Sequence, residues 1–316
     1  MDVSVIMINY NTFQLTKDAL KSIFEYTKDL QYEVILVDNC SPDGSGGQLR
    51  NLFGDKIKYI QSGGNLGTSK AFNMGLKTAS GRYILWLNTD ILIKDNFIKK
   101  LFDYMESDPD CGMCGGNLYN GQGKPALSYD RVLLSGRRAR RDVRLYSVIL
   151  RRIFKRVLSL NFNYSGKPMV VGGIIGADFM VRRDCFEKVG AFDEDIFMYG
   201  EETEFTYRVH KYTDYKSVSV PAAEMIHFEG GGAPSENEVY NEKKERIVIT
   251  GISTCLKKCY GEKDVHLYLK ARLVSAKRRR RFCTFLRKRD RIEIFNSKIK
   301  LIEDYIRNFD KFYNAL

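Results

Sequence analysis

No stretch of this 316-residue chain approaches the roughly 18 uninterrupted apolar residues that a membrane-crossing helix needs. The apolar run in the opening MDVSVIMINYN is also too short for a secretory leader, so the expected location is the cytoplasm. Cysteine occurs seven times, an odd number scattered from Cys40 to Cys283. That argues against a disulfide framework and fits a reducing compartment. Cys111 and Cys114 form a lone C-x-x-C with no second pair and no nearby histidine pair, so two half-buried thiols are expected rather than a zinc site. Histidine is scarce, at three residues, and no internal repeat is evident. The loop Gly63-Gly64-Asn65-Leu66-Gly67 is not the G-x-G-x-x-G that should follow the first strand of a dinucleotide-binding oxidoreductase.

Charge is abundant but unevenly placed. The chain carries a formal net +12. Residues 128–167 contribute +9 and residues 256–300 contribute +12, which leaves −9 for the rest. An acidic body thus carries two basic patches, a distribution that suits phosphate, anionic lipid or nucleic acid. No recognisable nucleic-acid motif accompanies the patches, and an acidic remainder is a poor electrostatic footprint, so no nucleic-acid partner is expected.

The first 90 residues alternate in pattern. VSVIMIN (3–9), YEVILVDN (32–39), KIKYIQS (56–62) and GRYILWLNTD (81–90) read as buried strands. Helical spacing fills 12–27 and about 69–79, and SPDGSGG (41–47) is a turn cluster. This alternation predicts an α/β fold with a mostly parallel sheet and flanking helices. Ligands of such sheets sit outside the carboxyl ends of the strands. Here those ends are all polar: Asn9 and Tyr10, Asp38 and Asn39, Ser62 to Asn65, and Asn88 with Asp90. They describe a nucleotide-sized site.

Further on, 96–107 reads as an amphipathic helix and 112–123 as a glycine-rich segment. An Arg-rich amphipathic helix is expected over 145–160, and 169–190 reads as one or two strands followed by a helix. A helix is expected over 203–212 with Glu201 and Glu202 just ahead of it, then a strand over 216–221, and then His227 in a loop beside Gly230 to Gly232. From about Glu236 the pattern is helical.

Three places carry candidate chemistry. Asp90, at a strand end, either caps a helix or holds a hard divalent cation that bridges phosphate oxygens. His227 is either structural or a ligand, whereas His210 and His266 sit in helical, basic surroundings and are read as structural. In FMYGEETEF (197–205) the carboxylates suit a helix dipole. Adjacent carboxylates also repel, and one with raised proton affinity suits general-base work on a hydroxyl.

Taken together these residues resemble the inverting family 2 glycosyltransferases with the GT-A fold, most closely their bacterial rhamnosyltransferase-type branch. The resemblance rests on Asn9-Tyr10-Asn11, Asp38-Asn39-Cys40-Ser41-Pro42-Asp43-Gly44, and Asn65-Leu66-Gly67 with Ala71, Asn73 and Gly75. It continues through Leu87-Asn88-Thr89-Asp90, Gly176-Ala177 and Met198-Tyr199-Gly200-Glu201-Glu202-Thr203-Glu204, with Arg208 and His227. These pieces run in the family's order over residues 3–232.

The resemblance implies that Asn9, Tyr10, Asn11, Asp38, Asn39, Asn65, Gly67, Asn73, Asn88 and Thr89 bind the nucleotide. Asp90 and His227 would hold a divalent metal, Mg2+ or Mn2+. Asn88 stands where the D-x-D-like motif has its first aspartate, which lowers the ligand charge. Glu202 matches the catalytic base, usually Asp, with Glu201 as the alternative. Tyr199, Glu204 and Arg208 would face the acceptor.

The implied reaction is a single inverting displacement from a dTDP- or UDP-sugar, rhamnose from dTDP-rhamnose first and UDP-hexoses next. The acceptor would be a cell-surface polysaccharide or a polyprenyl-diphosphate-linked glycan. The expected organisation is a catalytic domain over 1–235, split into a nucleotide half (1–90) and an acceptor half (91–235), with a basic insertion near 128–167. A basic helical region over 236–316 completes it. The basic runs suit an anionic membrane surface, placing the protein on the inner face of the cell membrane, as a homodimer or in assembly with other biosynthetic enzymes.

Overall fold

A computed structural model describes residues 1–145, 161–228 and 241–308. The chain divides into two compact units. The first comprises Met1–Leu133, Leu160–Phe197 and Phe205–Ser235; the second comprises Leu134–Ser159, Met198–Glu204 and Glu236–Leu316.

The first unit is built on β1 (Val3–Asn9), β2 (Tyr32–Asp38), β3 (Lys58–Gln61), β4 (Tyr83–Leu87), β5 (Ile91–Ile93), β6 (Cys111–Tyr119), β8 (Met169–Val171), β10 (Asp178–Arg182) and β11 (Lys216–His227). Among the described residues these form one nine-stranded sheet in the order β3-β2-β1-β4-β10-β6-β11-β5, with β8 added on β11. A short ladder of β7 (Tyr129–Asp130) and β9 (Gly173–Ile174) stands beside it. Strands β3, β2, β1 and β4 are all parallel, as is β6 with β11; β10, β5 and β8 pair antiparallel.

Helices α1 (Phe13–Tyr26), α2 (Ser45–Phe53), α3 (Gly67–Thr78), α4 (Phe97–Ser107) and α6 (Arg183–Val189) belong to this unit. One apolar cluster joins Val3, Val5, Met7 and Leu85 to Leu20 and Ile23 of α1 and Leu101 of α4. The other joins Ile6, Ile35, Val37 and Trp86 to Phe72 of α3 and Phe186 of α6. Successive strand side chains point to opposite faces, and both faces are covered. That is why β1, β2 and β4 read as unbroken apolar runs rather than as alternation.

Two strands differ from expectation. The glycine-rich segment is β6, a buried strand, where Gly115 and Gly116 admit close neighbours. A Cβ on Gly115 would lie 2.4 Å from Ile174 Cγ2, and one on Gly116 would lie 2.4 Å from the Ala223 carbonyl. The C-x-x-C thiols on this strand are fully buried rather than half-buried. Strand β11 does not end at Pro221; its register against β6 shifts between Ser219 and Glu224 and the ladder then resumes. Proline has no N–H to give the ladder, and a bulge absorbs it.

Helix α7 (Glu201–Tyr212) starts two residues earlier than expected, so Glu201 and Glu202 lie inside its first turn rather than before it. The second unit holds α5 (Gly136–Leu145), α8 (Glu242–Tyr260), α9 (Glu262–Phe285) and α10 (Arg289–Arg307). Ile249, Leu256, Val265, Leu269, Ile299 and Ile302 form its core, with Leu134 and Ala139 packed on it. Asp264 accepts from the Gly136 N–H at 2.6 Å, satisfying the first turn of α5. The expected helix over 145–160 falls, apart from Leu145, outside the described residues. No helix among the described residues is long and apolar enough to cross a membrane.

Candidate functional site

Because β1, β2 and β4 are parallel neighbours, their carboxyl ends share one edge, and Asn9 stands opposite Asp38 in register. Asp38 is buried, and its carboxylate accepts four hydrogen bonds. Asn9 Nδ2 (2.7 Å) and Ser41 Oγ (2.6 Å) donate to Oδ1; Ser41 N and Gln61 Nε2 (3.0 Å each) donate to Oδ2. Burial alone would raise this carboxyl, but the bonds from Ser41, Asn9 and Gln61 outweigh it and hold the group below its usual range. Four bonds fill the lone-pair sites of a carboxylate. A further donor could therefore reach Asp38 only by displacing a partner, and Gln61 is the exposed one.

Asn9 is fully buried and knits this edge together. Its amide nitrogen also reaches Ser45 Oγ at 2.8 Å, and its oxygen accepts from Thr12 and Thr16 at 2.9 Å each. Tyr10 is exposed, and Asn11, at φ 57°, receives the Asp43 N–H and donates its own to Ser41. Ser41, Ser45, Thr12, Thr16 and Gln61 were not singled out in the sequence as site residues. Lone hydroxyls and amides carry no signal until the topology gathers them.

Asn39 stitches the next loop. It donates to Asn65 Oδ1 (3.1 Å) and the Gly67 carbonyl (3.3 Å), and accepts from Leu66 N (2.9 Å). Gly67 sits at φ 79°, and a Cβ there would fall 2.3 Å from the Phe197 carbonyl, which Thr68 N meets at 2.6 Å. Asn73 stands apart from this group: its amide is spent on both backbone groups of Phe192 and on Glu194.

The third strand end brings Asp90 to His227. Strand β11 pairs with β5 so that His227 stands opposite Ile91, and Phe228 N donates to the Asp90 carbonyl at 2.8 Å. His227 is thus the last residue of a strand, not a loop residue. Its Nε2 lies 3.3 Å from Asp90 Oδ1 and 3.3 Å from Asn88 Nδ2, and both the histidine and the aspartate side chains are about one-seventh exposed (13% and 14%). Thr89 is buried, its hydroxyl 3.3 Å from that of Thr12.

A carboxylate oxygen and an imidazole nitrogen 3.3 Å apart are close enough that one divalent cation would take both. Among the described residues no third Cys, His, Asp or Glu joins them. The donor set fits a divalent cation that takes its other ligands from phosphate and water.

The acidic segment Met198–Glu204 belongs to the second unit. Tyr199 and Gly200 both have positive φ (70° and 104°), and Glu204 N closes the first helical turn on the Gly200 carbonyl at 2.8 Å. Gly251 of α8 lies under this bend; a Cβ there would meet the Met198 carbonyl at 2.0 Å and that of Tyr199 at 2.5 Å. Glu201 is 3% exposed, and among the described residues its Oε2 has no hydrogen-bond partner. Burial first, and the neighbouring Glu202 charge second, push its carboxyl well above the usual range. Glu202 is only partly buried, and Glu204 is buried. Arg208, further along α7, gives its guanidinium to the Val189, Gly190 and Ala191 carbonyls.

A model of glycosyl transferase family 2 matches residues 4–190. Glycosyltransferase GlyG of Streptococcus pneumoniae is 30% identical over 121 residues, 37% of this chain and 39% of that protein. The low-salt glycan biosynthesis hexosyltransferase Agl10 of Haloferax volcanii is 26% identical over 215 residues, 66% of this chain and 62% of its own length. The chain therefore spans less than two thirds of either relative. The crystal structure of GalNAc-T7 with UDP, GalNAc and Mn2+ superposes with a TM-score of 0.59 at 16% identity, covering 87% of this chain and 51% of that one. The fold is that of the GT-A glycosyltransferases.

Proposed function

The chain belongs to glycosyl transferase family 2, and on that premise we propose that it moves a sugar from a nucleotide-sugar donor to a hydroxyl of a glycan acceptor. The single observation that carries this reading is the strand edge itself. There a buried four-bonded Asp38 and an Asp90–His227 pair converge where a nucleoside diphosphate would lie. Agl10 is named for glycan biosynthesis and GalNAc-T7 was crystallised with UDP and Mn2+, which supports the donor and acceptor classes.

In this reading Asn9, Asn39, Asn65 and the Gly67 turn shape the nucleotide pocket, with Tyr10, Asn11, Asn88 and Thr89 at its margin. The base and ribose approach Asp38 past Gln61. Asn73 acts by anchoring α3 to the Phe192 loop. Asp90 and His227 would hold Mg2+ or Mn2+, which when bound neutralises charge on the diphosphate leaving group.

Glu202 takes the proton from the acceptor hydroxyl as its oxygen attacks the anomeric carbon, and the configuration inverts. Glu201 is the weaker candidate for base, because its buried side chain is hard for an acceptor hydroxyl to reach, whereas Glu202 keeps partial access to solvent. Tyr199 and Glu204 hold the acceptor side, and Arg208 holds the loop at 189–191. Rhamnose from dTDP-rhamnose is the first donor to try, with UDP-hexoses next. A lipid-linked acceptor would bring the protein to a membrane surface.

The test is a donor screen with Mg2+ or Mn2+ that detects dTDP, UDP or GDP release and reads the product's anomeric configuration. Retention would remove the single-displacement mechanism, and release of inorganic diphosphate would indicate a nucleotidyltransferase instead. Glu202→Gln should abolish transfer with donor affinity unchanged; near-normal transfer by that variant would move the base elsewhere.

A further inference from the structure

Helices α9 and α10 form a hairpin whose turn is unusual for a soluble surface. Phe285 is 82% exposed and Leu286, beside it, 40%. Around them, residues 277–291 hold nine Lys or Arg against one Asp. Arg278, Arg279, Arg281, Arg287, Lys288, Arg289 and Arg291 are all exposed.

The turn is firmly built. Lys288 N bonds the Cys283 carbonyl and Arg287 N bonds the Thr284 carbonyl, each at 3.0 Å, the paired bonds of a Schellman ending. The left-handed position of that motif, where glycine is usual, is taken by Arg287 at φ 54°. Below the turn, an open cleft of about 470 Å³ is lined by Arg280, Arg281, Thr284, Ile292 and Asn296.

From this arrangement we infer that the α9–α10 turn is a wedge that docks on an anionic phospholipid surface. Phe285 and Leu286 enter the boundary between headgroups and acyl chains. The surrounding arginines and lysines lie on phosphates, and the cleft beside Arg280 and Arg281 takes one headgroup.

The occupant follows from the chemistry of the tip. A nucleic-acid backbone would satisfy the cations but would leave a protruding phenyl ring and a leucine in water. A second copy of the chain packed tip to tip would set a net +8 against another +8. An anionic bilayer matches both components at once, because binding there combines buried apolar area with attraction to charged headgroups. The inference extends the membrane location considered above, and it holds or fails without reference to sugar transfer.

The experiment is flotation of the purified protein with vesicles of phosphatidylcholine, alone or containing about 30% phosphatidylglycerol. The protein should float with the anionic vesicles, less at high salt. Phe285→Ser with Leu286→Ser should lower the partition coefficient by about tenfold or more, since withdrawing even one large apolar side chain from the interface costs about that much. Arg281→Ser with Arg287→Gly should lower it at low salt and little at high salt. Both pairs are exposed, and glycine adopts the geometry of position 287 without strain, so neither pair should unfold the protein. Unchanged flotation by both variants would overturn the proposal, as would equal binding to neutral vesicles. A duplex oligonucleotide that strips the protein from vesicles, and that binds the Phe285→Ser/Leu286→Ser variant as tightly as wild type, would also overturn it.

Discussion

Gly46 offers a direct test of how the Asp38 strand edge is held. It is the second residue of α2, and a Cβ built on it would lie 2.3 Å from Asp38 Cγ and 2.6 Å from each carboxylate oxygen. Ordinary contact needs about 1 Å more than that. The carboxylate cannot swing aside freely, because Asn9, Ser41 and Gln61 hold both of its oxygens. Gly46→Ala must therefore lift the start of α2 or break part of the network. Overpacking costs about 1–3 kcal/mol. Losing one hydrogen bond to a charged group costs about 1.5–3 kcal/mol. Alanine's better helix propensity offsets about 1 kcal/mol. Either cost alone nets about 0–2 kcal/mol and the two together about 1.5–5 kcal/mol, so a destabilisation of about 2 kcal/mol is expected.

Trp86, the single tryptophan, is buried in β4 of the same unit, so its fluorescence during urea unfolding reports on the right part of the chain. The decisive comparison is a double-mutant cycle with Asp38→Ala. With the carboxylate gone the new methyl has room, and Gly46→Ala should then cost less than about 0.5 kcal/mol or stabilise slightly. An equal cost in both backgrounds would refute the argument that Gly46 is small in order to seat Asp38.

Three further outcomes follow from the same geometry. Burial would raise the Glu33 carboxyl, but Lys58, Ser4 and Ser80 overcome that and lower it from 4.5 to about 2. Its contribution is present above the ordinary carboxylate range and is lost as pH falls from 4.5 toward about 2. Glu33→Gln should thus cost roughly 1–2 kcal/mol at neutral pH and flatten the acid limb of a stability–pH curve. Glu201 shifts the opposite way, so its protonated form favours the fold at low pH and that contribution is lost as pH rises. Glu201→Gln should be at least as stable as wild type, with the gain largest at alkaline pH in thermal melts. Gly251→Ala should displace the Met198–Glu204 bend, and if Glu202 has its proposed role a shift of about 1 Å should lower turnover on the order of 100-fold with donor affinity kept, as steady-state kinetics would measure.

The polar strand edge was legible in the chain because parallel strands report their own carboxyl ends. Each buried run stops at a polar residue, and adjacent parallel strands stop at one edge, so Asn9, Asp38, Asn39, Asn88 and Asp90 could be grouped before any coordinates. Strand β6 was obscured because three of its residues are glycines, Gly115 and Gly116 among them. Those two serve the close approach of Ile174 and Ala223, and a glycine-rich string looks like a loop when those neighbours are unknown. The far half of β11 was hidden by Pro221, a residue that ends most strands and here marks only a bulge. That error turned His227 into a loop residue, although its partnership with Asp90 depends on strand register.

The pair Glu201 and Glu202 was read as ambiguous because both were placed before the helix, where neighbours have no fixed relation. Inside the helix they are about 100° apart, so the two side chains meet different surroundings. Phe205 and Val209 follow Glu201 by four and eight residues, and both are fully buried. That spacing sets Glu201 on the inward stripe of α7, and its 3% exposure agrees. Glu202 falls off the stripe and keeps partial access to solvent. The distinction between a buried carboxyl and one that keeps access to solvent was therefore already written in the helical period. It needed only the helix to begin at Glu201 rather than at Thr203.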